Sequence, residues 1–400
     1  MKAPATAVTS PSGELQRRAL VFVLLMGLVS LLADMVYEGG RSISGPYLAL
    51  LGASGTVVGL VAGAGELIAY GLRLVFGYLS DRTRRYWAFT IAGYSLTALA
   101  VPALALAGSW QVAVLLLTLE RMSKALRSPA KDTLLSYATR SIGHGKGFGL
   151  HEALDQIGAI AAPLALAAVL AWRGDYRLAF GLLLIPGALT ILALLVARAR
   201  FPQPADLAGA TPPLTSRGFR GDFWLYLVAV GLIAAGFADF PLIAFHLERT
   251  AVVATAWIPA LYALAMAVDA GAALLFGVLF DKIGYGALLL AGLLTLACAP
   301  LVFLGGVSLV VLGMVLWGIG LGAQESILRA AVATLAPAER RGTAFGLFNT
   351  VYGIAWFAGS AALGVLYDLA LPALIGLSVG LQALALVVLV VVARRGAAGR

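Results

Sequence analysis

The stretch LIGLSVGLQALALVVLVVVA, residues 374–393, runs for twenty residues without one charged side chain. Residues 178–197 are equally free of charge, and residues 20–33 read LVFVLLMGLVSLLA. About 20 apolar residues in a helix, each rising about 1.5 Å, cross the hydrocarbon core of a bilayer. A strand of a membrane barrel needs only about ten residues and alternates polar with apolar, which these continuous runs do not do. Backbone amides in hydrocarbon must be satisfied within their own segment, so the runs predict spanning helices.

The rest of the composition follows suit. Of 400 residues, 61% are hydrophobic and 12% charged, with a mean hydropathy of +0.95. A soluble domain carries about 25% charge, and no single water-soluble core hides an apolar excess this large. The 47 glycines suit helices that approach one another closely. One cysteine, Cys298, and three dispersed histidines, His144, His151 and His246, exclude a disulfide framework and a cysteine-based metal cluster. No cofactor and no resident metal is expected. The net charge of +9 comes from basic residues lying between apolar runs, which reads as membrane topology and not as a nucleic-acid surface. Residues 1–16 are polar and no Ala-x-Ala-like site follows the first apolar run, so no cleavable leader is expected.

Twelve spans are expected, at 17–48, 54–80, 86–107, 110–137, 143–171, 176–198, 221–248, 253–280, 285–304, 307–334, 341–366 and 371–394. Lysine and arginine gather on alternate connections. One side holds Arg17, Arg18, Arg82, Arg84, Arg85, Lys131 and Arg198 among others, and the opposite side only Arg173, Arg177 and Arg249. The positive-inside rule then places both termini in the cytoplasm of a multi-pass protein, expected in a bacterial inner membrane. Residues 199–220, rich in proline, glycine and threonine, read as a cytoplasmic linker between a six-helix bundle at 1–198 and another at 221–400. The halves echo each other. Gly77-Tyr-Leu-Ser-Asp81-Arg82 after the second span returns as Gly277-Val-Leu-Phe-Asp281-Lys282 after the eighth. Gly147-Phe-Gly149-Leu at the fifth returns as Ala344-Phe-Gly346-Leu at the eleventh. Parallel duplication of six helices is a transporter architecture, with its site at the interface of the halves.

On these residues the chain resembles the major facilitator superfamily over nearly its whole length. Gly77, Asp81, Arg82 and Arg85 match the family's loop motif after span two, with Arg84 where a glycine is usual, and Gly277, Asp281 and Lys282 form the second copy. The resemblance implies a cytoplasmic gate that locks the halves together in the outward-facing state; a solvated basic turn that only sets topology is the other reading. Charge-assisted bonds at a helix end can form and break between two packings. Arg121 in span four matches the arginine of a motif associated with proton transfer, although Lys124 and Ala125 depart from its pattern. Gly149, Gly158 and Pro163 in span five are similar to the antiporter signature, with Ala162, Ala165 and Leu166 where its other glycines belong. These small residues serve helix packing and bending equally well.

Ionisable residues at membrane depth cost about 2.5–3.5 kcal/mol on insertion scales and mark sites or pairs. Asp34, Glu38 and Arg41 are spaced i, i+4, i+7 on one face of span one; Glu120 and Arg121 sit mid-span in span four, and Glu152 and Asp155 lie towards the cytoplasmic half of span five. Burial disfavours a carboxylate's charge and a nearby cation favours it, and these opposed terms make a proton-gated switch. Asp34, Glu38 and Asp155 are therefore candidate proton carriers, with Arg121 as the modulating cation. The same groups could instead be fixed pairs that hold helices together. Tyr37, Tyr70, Tyr352 and Trp356 are candidate cavity aromatics, or else interfacial anchors.

The expectation is a non-enzymatic secondary transporter, acting as a monomer in the lipid bilayer on a small-molecule substrate and protons, most simply by proton-coupled export. Divalent metal export through Asp34, Glu38, His151 and Asp155, and organic-anion uptake countered by Arg121, Lys124 and Arg127, stay open. No Gly-x-x-x-x-Gly-Lys-Ser/Thr loop, His-Glu-x-x-His or Gly-x-Ser-x-Gly occurs, which argues against ATP coupling and enzyme chemistry.

Overall fold

The computed structural model describes residues 13–142, 144–203, 221–335 and 341–398. The first six spans are α1 (Gly13–Leu50), α2 (Gly55–Thr83), α3 (Tyr86–Ala100) with a 3-10 extension (Pro102–Leu106), α4 (Trp110–Ile142), α5 (His144–Arg173), and α6 (Tyr176–Leu182) with α7 (Leu184–Arg200). The last six are α8 (Gly221–Gly236) with α9 (Phe240–Thr250), α10 (Trp257–Ile283), α11 (Tyr285–Thr295) with α12 (Cys298–Leu304), α13 (Val307–Leu335), α14 (Arg341–Leu369) and α15 (Leu371–Ala398). Among the described residues, eleven spans are long and apolar enough to cross a bilayer. The twelfth, α4, has the length, at 33 residues. Its apolar character is broken by Glu120, Arg121, Lys124 and Arg127 in mid-helix. The expected linker at 199–220 falls largely outside the described residues, since 204–220 are not among them.

Four spans expected as single helices are broken, and proline explains each break. Pro102, Pro186, Pro241 and Pro300 have no amide to offer the carbonyl four residues earlier, and the helix stops just ahead of each. The break in span seven frees carbonyls in a buried place. Ser378 Oγ and Gln382 Nε2 donate to the Gly236 carbonyl at 2.6 and 3.1 Å, and Trp317 Nε1 donates to that of Ala238 at 2.8 Å. Asp239 restarts the helix by accepting from the Phe240 amide at 2.9 Å. Backbone irregularity is tolerated in the membrane because neighbouring helices supply these partners.

Twelve spans put both chain ends on one face of the bundle, here the terminal face, with the distal face opposite. The apolar packing is not symmetric between the two. Phe22, Met26, Trp87, Leu134, Leu194 and Phe201 form a cluster confined to the first half at the terminal face. A second cluster joins the distal part of the first half, including Ile43, Tyr47, Val58 and Leu170, to the core of the second. Among the described residues the halves are fused distally, and no apolar cluster joins them at the terminal face.

Glycine makes the distal fusion possible. A Cβ on Gly59 would collide with the Ser360 carbonyl and the backbone of Gly364, and one on Gly63 would meet Phe357. The antiparallel helices α2 and α14 thus touch backbone to backbone over their distal halves. Asp368 closes the top. It accepts from the Gly55 amide at 3.0 Å and from the Thr56 amide and hydroxyl at 2.6 Å each, so a carboxylate of the second half caps a helix of the first. Nearer the terminal face, no described atom lies within 4 Å of where a Gly346 Cβ would be.

Candidate functional site

Between the halves, below the distal seal, is a cavity of about 90 Å³. The first half contributes Tyr37, Glu38 and Arg41 from α1, Glu66 and Tyr70 from α2, and Lys124 from α4. From the second come Gln324, Glu325 and Arg329 of α13, with Phe348, Tyr352 and Trp356 of α14. The last three recur every four residues, so they stand one above another on one face. Tyr352 stacks on Phe348 at 5.8 Å, meets Trp356 at 5.3 Å, and crosses to the edge of Tyr70 at 5.8 Å. All four aromatics singled out in the sequence line this space.

The charges are held differently on the two sides. Arg121 lies behind the cavity wall. It bonds Glu66 at 2.8 Å and the Tyr37 hydroxyl, with Glu120 at 3.4 Å. Gly65 leaves room for its side chain, since a Cβ there would press on Arg121 Cγ at 2.8 Å. Lys124 sits 4.0 Å from the Tyr37 ring centre. Arg127 donates to Thr97 at 2.8 Å and lies over the Tyr94 ring, away from the cavity.

Two bonds cross between the halves at cavity level. Arg41 donates to Asp239 at 2.8 Å, and Trp356 Nε1 donates to the other oxygen of that carboxylate at 3.3 Å. The Tyr262 hydroxyl on α10 donates to Glu38. Nothing in the sequence around Tyr262 marks it. Asp239 carried a signal: an acid two residues before a proline, in a span that the proline must interrupt.

Asp34 shares a helical face with Glu38 and Arg41 but lies one turn nearer the terminal face, below the cavity. It is half-buried, and among the described residues it has no hydrogen bond or ion pair. Asp155 on α5 is its neighbouring carboxylate. The two helices run in close contact there, with Gly158 against the Leu31 carbonyl, and Pro163 lies further along α5. The side chain of Glu152 and the surroundings of Gly149 lie outside the described residues, as does the side chain of Asp81. Arg82, Arg85, Asp281 and Lys282 are exposed at the terminal face, where Gly77 and Gly277 also lie, and none of these four charges is in an ion pair among the described residues. No group of three or more His, Cys, Asp or Glu side chains among the described residues is placed to hold a metal ion.

The sequence profile of the Major Facilitator Superfamily matches residues 23–360. The chain belongs to that superfamily. As a major facilitator protein it is a multi-pass membrane transporter of the secondary-carrier type and not an enzyme. It is 44% identical over 375 residues to the uncharacterized protein Rv2265 of Mycobacterium tuberculosis, covering 92% of each chain. It is 29% identical over 362 residues to an uncharacterized MFS-type transporter, MJ1317, of Methanocaldococcus jannaschii, covering 87% of this chain and 88% of that one. Its fold is similar to that of the nucleoside transporter NupG, with a TM-score of 0.73 at 14% identity over 92% of this chain and 98% of the other.

Proposed function

We propose that this major facilitator protein exports a small organic compound in exchange for protons, by rocking its two halves around the central cavity. The observation that carries the reading is Asp34, a half-buried carboxylate at membrane depth with no bonding partner among the described residues and Asp155 beside it. A group so placed gains by taking a proton when the space around it dries and by releasing it when water returns. The cations whose charge reaches Asp34 are Lys124 and Arg127; Arg121 is engaged by Glu66 and Glu120.

The lysine and arginine asymmetry supports a cytoplasmic terminal face, and the reading places the protein in a bacterial inner membrane. The terminal face, with no joining apolar cluster among the described residues, then corresponds to an inward-facing state. Asp81, Arg82 and Arg85, with Asp281 and Lys282, form the gate that closes in the opposite state, which agrees with the exposure of the last four here. The residues lining the cavity come from both halves of one chain, which supports the monomer as the working unit.

The test compares two modes of transport in proteoliposomes. Asp34→Asn should abolish uphill transport driven by an imposed pH gradient while sparing substrate counterflow. Gradient-driven transport that survives both Asp34→Asn and Asp155→Asn would refute proton carriage by this pair.

A further inference from the structure

The charges that line the cavity are unequally engaged. Arg41 is neutralised by Asp239, and Glu66 by Arg121, each at 2.8 Å. Glu325 and Arg329, four residues apart on α13, each have an interaction partner of their own. Two groups differ. Glu38 accepts one hydrogen bond, from the neutral Tyr262 hydroxyl, and Lys124 rests on the face of Tyr37; neither is in an ion pair among the described residues. One anion and one cation therefore face the same cavity of about 90 Å³, within reach of each other's field but with no salt-bridge partner among the described residues.

We propose that this cavity takes a zwitterion, a small molecule bearing both an ammonium and a carboxylate, with its ammonium on Glu38 and its carboxylate on Lys124. Burying a charge without a countercharge is costly, and a ligand of that kind removes both costs at once. A ligand with a single charge would pair one residue and leave the other alone in a drier space. The aromatic ladder of Phe348, Tyr352 and Trp356 gives the apolar part of the ligand a wall to pack on, as small-molecule sites commonly do. The ammonium end also joins the halves. Glu38 belongs to the first and its hydroxyl donor, Tyr262, to the second, so occupancy changes a contact that domain motion must break. This assignment rests on the cavity being the transport site, but its test requires no transport.

The experiment is thermal unfolding of the purified protein in detergent against matched probes. These are L-phenylalanine, L-leucine and L-alanyl-L-alanine, each with its N-acetyl and C-amide forms. At least one free zwitterion should raise Tm, with both blocked forms of it needing at least tenfold higher concentration for the same rise. In Lys124→Met the free acid and the amide should become equivalent, and in Glu38→Gln the free amine and the N-acetyl form should. The proposal is overturned if an N-acetyl or an amide form stabilises as well as its parent, or if no probe shifts Tm. In the second case Glu38 and Lys124 serve the packing of the protein and not a ligand of this kind. The comparison in the unmodified protein stands if either variant fails to fold. Proton movement is read separately in vesicles, so zwitterion binding without proton coupling would spare this assignment and sink only the exchange mechanism.

Discussion

Arg41 on α1 and Asp239, the residue that caps α9, form a 2.8 Å ion pair that ties one half of the transporter to the other, with only 1% of the Asp239 side chain exposed. The Trp356 indole holds the second oxygen of the same carboxylate. The bond can exist only while the distal face is closed, because α1 and α9 meet there with Gly45 against the Pro241 carbonyl.

Removing one partner strands the other as a buried charge, a loss of about 3–5 kcal/mol. Arg41→Met alone should lower Tm strongly and increase labelling of cysteines placed on the distal side of the cavity. The double variant Arg41→Met/Asp239→Leu should recover much of the Tm. A double-mutant cycle with no coupling between the two positions would contradict this.

Asp368 caps α2 across the same seal. Asp368→Ala removes three accepted hydrogen bonds and leaves the Ser54 cap in place, so a cost of about 1 kcal/mol is expected. The effect should appear as a several-fold rise in the population open at the distal face, read by single-molecule distance measurement, with little change in helix content.

The crossing of α2 and α14 has no room for a side chain. Gly59→Val should therefore hold the distal face apart and reduce transport at least tenfold, while Gly71→Ala, where nothing lies within 4 Å, should transport normally. Uptake assays on both variants, normalised to membrane expression, check the contrast.

Much of this architecture was legible in the residues themselves. Continuous apolar runs and alternating lysine and arginine sufficed for twelve spans, including α4, whose charges Glu120, Arg121, Lys124 and Arg127 defeat a purely apolar criterion. The helical spacing of Glu38 and Arg41 put both on one face, and both line the cavity. The same spacing includes Asp34, but four residues of helix carry it about 6 Å along the axis, out of the cavity. Partners were not legible. Which residue of the second half meets Glu38 or Arg41 depends on how two bundles dock, and Tyr262 lies in an apolar run with no charge, glycine or proline at its side. Helix breaks ahead of Pro102, Pro186, Pro241 and Pro300 follow from chemistry visible in the sequence. Pro46, Pro129 and Pro163, inside continuous helices, show why proline alone does not decide.

Alternating exposure of one cavity at two faces is the claim on which the account stands, and paired distances between spin labels test it most directly. Leu50 and Leu369 are exposed at the distal ends of α1 and α14, and Tyr78 and Ile283 at the terminal ends of α2 and α10. Across a change from neutral to acidic pH in nanodiscs, the account predicts opposite movements, the distal pair lengthening as the terminal pair shortens. Two distances that stay fixed, or that grow and shrink together, would contradict it.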